Sequence, residues 1–206
     1  AEIKKASTSK GVIREDFAPV KIAQTYARGG ASAISVLTDE PFFQGHITYL
    51  DAVAEHVQLP LLRKDFIIDP YQVYQAKCHQ ASALLLIVGA LNDAELKDFY
   101  QLTLELGMHA LVEVHNRQEL QRALDAGADI VGVNNRDLET FQVDLNTSLF
   151  LSELMPDSVL RVSESGIHNR QDVVMLENAG FQACLIGESL MRKSDPAVHL
   201  QTLRGV

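Results

Sequence analysis

The sequence predicts an α/β fold of the (β/α)8, or TIM-barrel, class, with parallel strands in one domain covering residues 1–206. Three observations carry that expectation. Eight short β-prone runs alternate with helical patterns almost without interruption, which requires parallel strands joined by helical crossovers. Eight repeats favour a closed barrel over an open doubly wound sheet. No G-x-G-x-x-G follows the first run and no phosphate-loop motif occurs, so the open nucleotide-binding alternative lacks its usual signatures.

In chain order, the first strand-like run is 1–5 (AEIKK), followed by a helical pattern over 19–28 that closes on Gly29-Gly30, a stop signal. Run 32–37 (SAISVL) precedes a helix near 49–57, and run 60–66 (PLLRKDF) precedes one near 70–79. Run 82–88 (SALLLIV) leads into 92–106, where Asn92 as N-cap and Glu95 three residues later form a capping box and Gly107 ends the helix. Run 109–114 (HALVEV) is followed by helix 117–125, stopping at Gly127, and run 129–135 (DIVGVNN) by a helix near 146–154. Run 159–165 (VLRVSES) precedes 169–179, stopping at Gly180, and run 182–188 (QACLIGE) precedes a last helix near 196–203.

Composition narrows the function. A net charge of −9 argues against nucleic acid as a partner and means that an anionic ligand needs local cations. No apolar run is long enough to span a bilayer, and no basic stretch leads into an apolar signal region. Cys78 and Cys184 lack metal-ligand spacing, and a reducing cytoplasm suits two unpaired thiols. The chain begins at Ala1 within a strand-like run, so a preceding N-terminal extension is expected to be missing.

Parallel strands buried on both faces should be apolar throughout. Here their C-terminal ends carry charge: Glu2 and Lys4, Lys64, Glu113, Asn134 running into Arg136, and Glu164-Ser165. A period of two puts Glu2 with Lys4, and Leu62 with Lys64, on one face. If those faces point inward, the charges converge at the barrel mouth, where active sites of this architecture lie. One such residue is ordinarily a solvated rim charge. A mixed cluster at the same ends of five strands points to pairing or catalysis, because an unpaired buried charge costs several kcal/mol. After the last two strands come Ser165-Gly166-Ile167 and Gly187-Glu188-Ser189, where backbone amides and a short helix start suit a phosphate. Glu188 is then expected to point away from the anion.

The segments EIKKASTSKG, SVLTDEPFFQG, LLRKDFI, LVEV, VGVNNRDLET, SESGI and LIGESLMR occur in this order and resemble the successive signatures of the indole-3-glycerol phosphate synthases. The resemblance runs from end to end, and it accounts for the abrupt start: members of that family carry a further N-terminal stretch, with an extra helix near the substrate site, before the first strand. It implies a cofactor-independent ring closure of 1-(2-carboxyphenylamino)-1-deoxyribulose 5-phosphate, with loss of CO2 and water. By the same resemblance Lys64 is a general acid, Lys4 and Glu113 serve the dehydration, Glu2, Asn134 and Glu164 position these groups, and Arg136 organises them. Ser7, Gly166, Gly187, Ser189 and Ser165 are candidates for the phosphate. Phe43, Phe66, Leu85, Ile87, Leu138 and Leu185 are candidates for an apolar slot around the aromatic ring. The resemblance leaves room for fusion to, or association with, another enzyme of tryptophan biosynthesis.

Two departures stand out: Thr8 occupies a position where the family usually has proline, and His46 one where it usually has serine. His46 and His115 are read as loop residues, with His115 solvated. Two alternatives remain: a truncated barrel that binds sugar phosphates without turnover, and another phosphate-binding barrel isomerase.

Overall fold

The computed structural model describes residues 1–7, 11–137 and 140–206. Thr8 and Leu138 therefore lie outside the described residues. Eight parallel strands run in chain order around one sheet: β1 (Glu2–Ile3), β2 (Ile34–Leu37), β3 (Leu61–Lys64), β4 (Ala83–Ile87), β5 (His109–Val114), β6 (Ile130–Asn134), β7 (Leu160–Glu164) and β8 (Ala183–Leu185). The Glu2 amide donates to the Ile186 carbonyl at 2.8 Å, which links the first strand to the end of the last and closes the ring.

Between and after the strands lie α1 (Pro19–Arg28), α2 (Thr48–Ala54), α3 (Pro70–Cys78), α4 (Asp93–Glu105), α5 (Arg117–Asp125), α6 (Asn146–Ser152), α7 (Arg170–Asn178), α8 (Glu188–Met191) and α9 (Pro196–Arg204). The expected capping box forms: the Glu95 amide donates to Asn92 Oδ1 at 3.0 Å, and the Asn92 amide donates to Glu95 Oε2 at 2.9 Å. The stop glycines Gly30, Gly107, Gly127 and Gly180 all take positive φ, the left-handed turn that a side chain would strain.

Except for β5, the strands are shorter than the runs expected from the sequence, because pairing ends where the chain peels into the mouth loops. Two further elements carry weak sequence signals. One is an antiparallel pair, Ala6–Ser7 with Gly11–Val12; the other is α8, too short to show a period.

The two-residue period of each strand sorts side chains into two cores. Ile3, Ile34, Val36, Leu61, Leu84, Leu86, Val112 and Val133 face the helices in the main cluster. Leu85, Ile87, Leu111 and Val162, with Leu62, Ile130 and Leu185 packed on them, form a separate cluster inside the barrel. The charged strand ends share the parity of this inner set, so they sit directly above its apolar floor. Gly132 belongs to the same inward row: a Cβ there would strike the Glu164 carboxylate and come within 3.2 Å of Leu111 Cδ1.

Candidate active site

Lys64 ends β3, and its ammonium crosses the barrel. Its Nζ lies 3.2 Å from Glu113 Oε2 at the end of β5 and 3.6 Å from Glu164 Oε2 at the end of β7. Arg63, the outward neighbour, anchors this strand end. It donates to the Gln72 carbonyl at 2.7 Å and pairs with Asp65 at 2.9 Å. A strand end tied on its outer face holds the inward lysine in one place.

Glu2 of β1 pairs with Lys4 at 2.8 Å and accepts from the Ser35 hydroxyl at 3.4 Å. Lys4 Nζ stands 5.5 Å from the centroid of the Phe43 ring. Asp39 holds that aromatic loop, its Oδ1 accepting from the amides of Phe42 at 2.8 Å and Phe43 at 3.1 Å. Phe43 and Phe66 approach at 6.3 Å between centroids. Lys4, Glu2, Lys64, Glu113, Asn134, Arg136 and Glu164 all line one cavity, together with Phe43, Phe66, Leu85, Ile87 and Leu185.

The electrostatics follow from burial and pairing. For Lys64, burial opposes the charge, but Glu113, Glu164 and Glu2 outweigh it and raise its pKa above the lysine range. For Glu113, burial also opposes ionisation, but Lys64, His115 and Asn134 pull its pKa well below the carboxylate range. Glu2 follows the same pattern: Lys4 and Lys64 outweigh its burial and lower its pKa. Glu164 goes the other way. Burial, helped by the charges of Glu113 and Glu2, pushes it to about 8 against the pull of Lys64. Lys64 stands closer to Glu113, at 3.2 Å, than to Glu164, at 3.6 Å, so of the three carboxylates it is Glu164 that keeps its proton.

This has a consequence for stability. Unfolded Glu164 ionises near 4.5, whereas the folded protein holds the proton to about 8, so stability falls as pH rises through that window. Glu113 contributes oppositely, its stabilisation being lost as pH drops below 4.5. We predict that the thermal midpoint declines from weakly acid pH toward 8, and that Glu164→Gln flattens the decline. A parental midpoint that stayed level across the window would mean Glu164 is ionised throughout.

The remaining predicted residues lie at the other end of the cavity. Ser7, Ser165, Gly166, Gly187 and Ser189 line it. Ser7 Oγ is buried, with no hydrogen-bond partner among the described residues. The Ser189 hydroxyl is already engaged, donating to the Ile167 carbonyl at 2.9 Å. Gly187 is bare for a second reason: a Cβ there would meet the Glu2 carboxylate. Ser165 and Gly166 both take positive φ, 67° and 81°, so the turn after β7 is sharp. Glu188 also lines the cavity, but its carboxylate is engaged by Arg192 Nε at 2.9 Å and Arg136 Nη2 at 3.7 Å.

Several working residues have no clear sequence signal. Asn135 is buried, and its amide nitrogen donates to Ser163 Oγ and the Glu164 carbonyl, each at 2.9 Å, and to the Ser165 carbonyl at 3.2 Å, thereby pinning the turn that carries Glu164. Asp39 and Gly132 act through the contacts already described. His115 corrects an expectation: its side chain is only 13 % exposed and lies between Glu113 and Glu119, where two acceptors draw it inward rather than into solvent. His46, by contrast, sits on an exposed loop, with Nδ1 2.7 Å from Thr48 Oγ1. Among the described residues no helix is long and apolar enough to cross a membrane.

Comparison with known proteins decides the family. The sequence profile described as indole-3-glycerol phosphate synthase matches residues 1–203. The chain belongs to the indole-3-glycerol phosphate synthase family. A synthase of that name from Chlorobaculum tepidum is 53% identical over 195 residues, which make up 95% of this chain and 76% of the relative. Another, from Koribacter versatilis, is 49% identical over 205 residues, covering 100% of this chain and 79% of the relative. Solved structures with the same fold include a thiamine phosphate pyrophosphorylase from Pyrococcus furiosus, with TM-score 0.69, 16% identity and coverage of 90% of this chain and 87% of that one. A second is the KGPDC of Streptococcus mutans, with TM-score 0.68, 13% identity and 90% of each chain covered. At such identity these two speak for the barrel alone. Membership of the indole-3-glycerol phosphate synthase family makes this chain a decarboxylating lyase.

Proposed function

We propose that the cavity closes an indole ring, converting 1-(2-carboxyphenylamino)-1-deoxyribulose 5-phosphate to indole-3-glycerol phosphate, CO2 and water, a step of tryptophan biosynthesis. The observation that carries this reading is the Lys64 ammonium held between Glu113 and Glu164 over an apolar floor. The ring carbon bearing the carboxylate is a weak nucleophile, so the ribulose carbonyl needs activation. Lys64 keeps its proton firmly in the free site, but the alkoxide formed on attack is a far stronger base than an amine. The proton therefore moves to oxygen as the carbon–carbon bond forms. Loss of CO2 returns electrons to the ring. Loss of the new hydroxyl as water then requires an acid at that oxygen and a base for a proton on the neighbouring carbon, the former ribulose methylene bound to nitrogen. Lys4 and Glu113 take these parts, and Glu113 enters the reaction ionised.

The apolar slot of Phe43, Phe66, Leu85, Ile87 and Leu185 suits the aromatic ring, and Lys4, beside Phe43, suits its carboxylate. The phosphate is assigned to the turn of Ser165 and Gly166, with Gly187, Ser189 and the buried Ser7 hydroxyl. Arg136 draws off the Glu188 charge there. The assigned compartment is the cytoplasm, in keeping with the two free cysteines.

The test is direct. The protein is mixed with the carboxyphenylamino-ribulose phosphate, and indole fluorescence is followed together with CO2 release. Both should rise in equal amounts. Tight binding of the substrate without either product would leave only a sugar-phosphate-binding barrel.

A further inference from the structure

We infer that His115 is a positioning residue for Glu113, the second cation that holds this carboxylate ready when Lys64 gives up its proton. The inference rests on the catalytic reading of Lys64 and Glu113 above. His115 follows β5 directly. Its Nδ1 lies 2.9 Å from Glu119 Oε2, and its backbone amide donates to the same oxygen at 2.8 Å. Glu119 is itself held, because Asn116 Nδ2 donates to its Oε1 at 3.0 Å and its own amide donates to Asn116 Oδ1 at 2.9 Å. The imidazole is thus clamped from behind.

Its other nitrogen, Nε2, faces Glu113 Oε1 at 3.4 Å, a charge contact without hydrogen-bond alignment. Lys64 engages the opposite oxygen, Oε2. Glu113 therefore has one cationic partner on each oxygen. Both ring nitrogens face carboxylates, which only accept, and only the doubly protonated imidazolium presents a proton to each. A neutral ring would turn a lone pair on one of them. Burial opposes the charge, but Glu113 and Glu119 outweigh it and bring the pKa to about 9. The other charged groups nearby are Lys64 and Glu164 beyond Glu113, and Arg136, Asp137 and Asp144 around the adjoining polar cavity.

The mechanism supplies the need for a second cation. If Lys64 were the sole counter-ion, Glu113 would face proton uptake at the moment Lys64 is neutralised. His115 takes no part in the bond changes and acts through Glu113. It keeps Glu113 ionised and oriented between the steps.

His115→Gln tests this. It should lower kcat by roughly ten- to a hundredfold, the scale of a misplaced reacting group, with KM little changed. The acid limb of the kcat profile should move to higher pH, because Glu113 loses a cation. Glu119→Gln, which keeps the imidazole, should give a smaller loss in the same direction and add little in the double variant. It also decides the matter if His115→Gln does not fold. Independently of turnover, the His115 ring should titrate near 9 by NMR and lower in Glu119→Gln. An unmoved pH profile in a folded, active His115→Gln, or a parental ring titrating at the ordinary histidine value, overturns the inference. A parent that makes no indole product refutes the ring-closing function instead, and the NMR titration alone then judges His115.

Discussion

Lys64→Met lowers kcat by roughly 10²–10⁴-fold, the range spanned by a well-placed general acid, and leaves KM nearly unchanged. Methionine keeps the unbranched stem of lysine and lacks only the terminal ammonium, so the loss largely isolates the proton and charge from the packing. Two contacts vanish at once, the ion pair with Glu113 and the 3.6 Å contact with Glu164. Lys4 still pairs with Glu2 and His115 still faces Glu113, but Glu113 loses its nearer cation and retains its proton to higher pH. The variant should therefore fold, bind the substrate and stall before decarboxylation. Single-turnover fluorescence with the carboxyphenylamino substrate measures this, and a rate near the parental one would remove Lys64 from the chemistry.

Gly132→Ala is the second large effect, and it acts through space alone. The added methyl group enters the volume of the Glu164 carboxylate and presses on Leu111. Overfilling a packed interior costs about 1–3 kcal/mol, and an ångström of displacement in a reacting constellation about 10²-fold in rate. Both losses should appear together, as a lower thermal midpoint and a lower kcat. Shortening the displaced side chain in the same background, Gly132→Ala with Glu164→Asp, should recover part of the stability. Recovery of the midpoint without recovery of rate is expected, since Asp cannot reach Lys64 as Glu does. If Gly132→Ala alone matched the parent in both measurements, the close packing of β6 against Glu164 would be refuted.

Much of the fold was legible because its signals are local. Alternating apolar runs and helical periods, closed by Gly30, Gly107, Gly127 and Gly180, are written in neighbouring residues, and so is the Asn92–Glu95 cap. The inward row also follows from parity alone: Leu62 implies Lys64, and Leu111 implies Glu113. Motif resemblance carried the family, which the profile match over residues 1–203 bears out. The lost signals are those in which a residue type has two uses. A histidine just past a strand end reads as a solvated loop residue, and only the folded backbone sets its Nδ1 against Glu119 and its Nε2 against Glu113. A glycine within a strand carries no clear signal until the neighbouring strand's carboxylate is seen in its place.

By itself the sequence determined which side chains face the barrel interior, because strand parity and helix stops depend on bonds a few residues long. The tertiary structure decided which of those charges touch, and hence which are ionised. Lys64 reaches Glu113 across 49 positions of chain, and Coulomb energies depend on distances that no local pattern encodes. That is why Glu113 and Glu164, alike in sequence as strand-end glutamates, are driven to opposite protonation states.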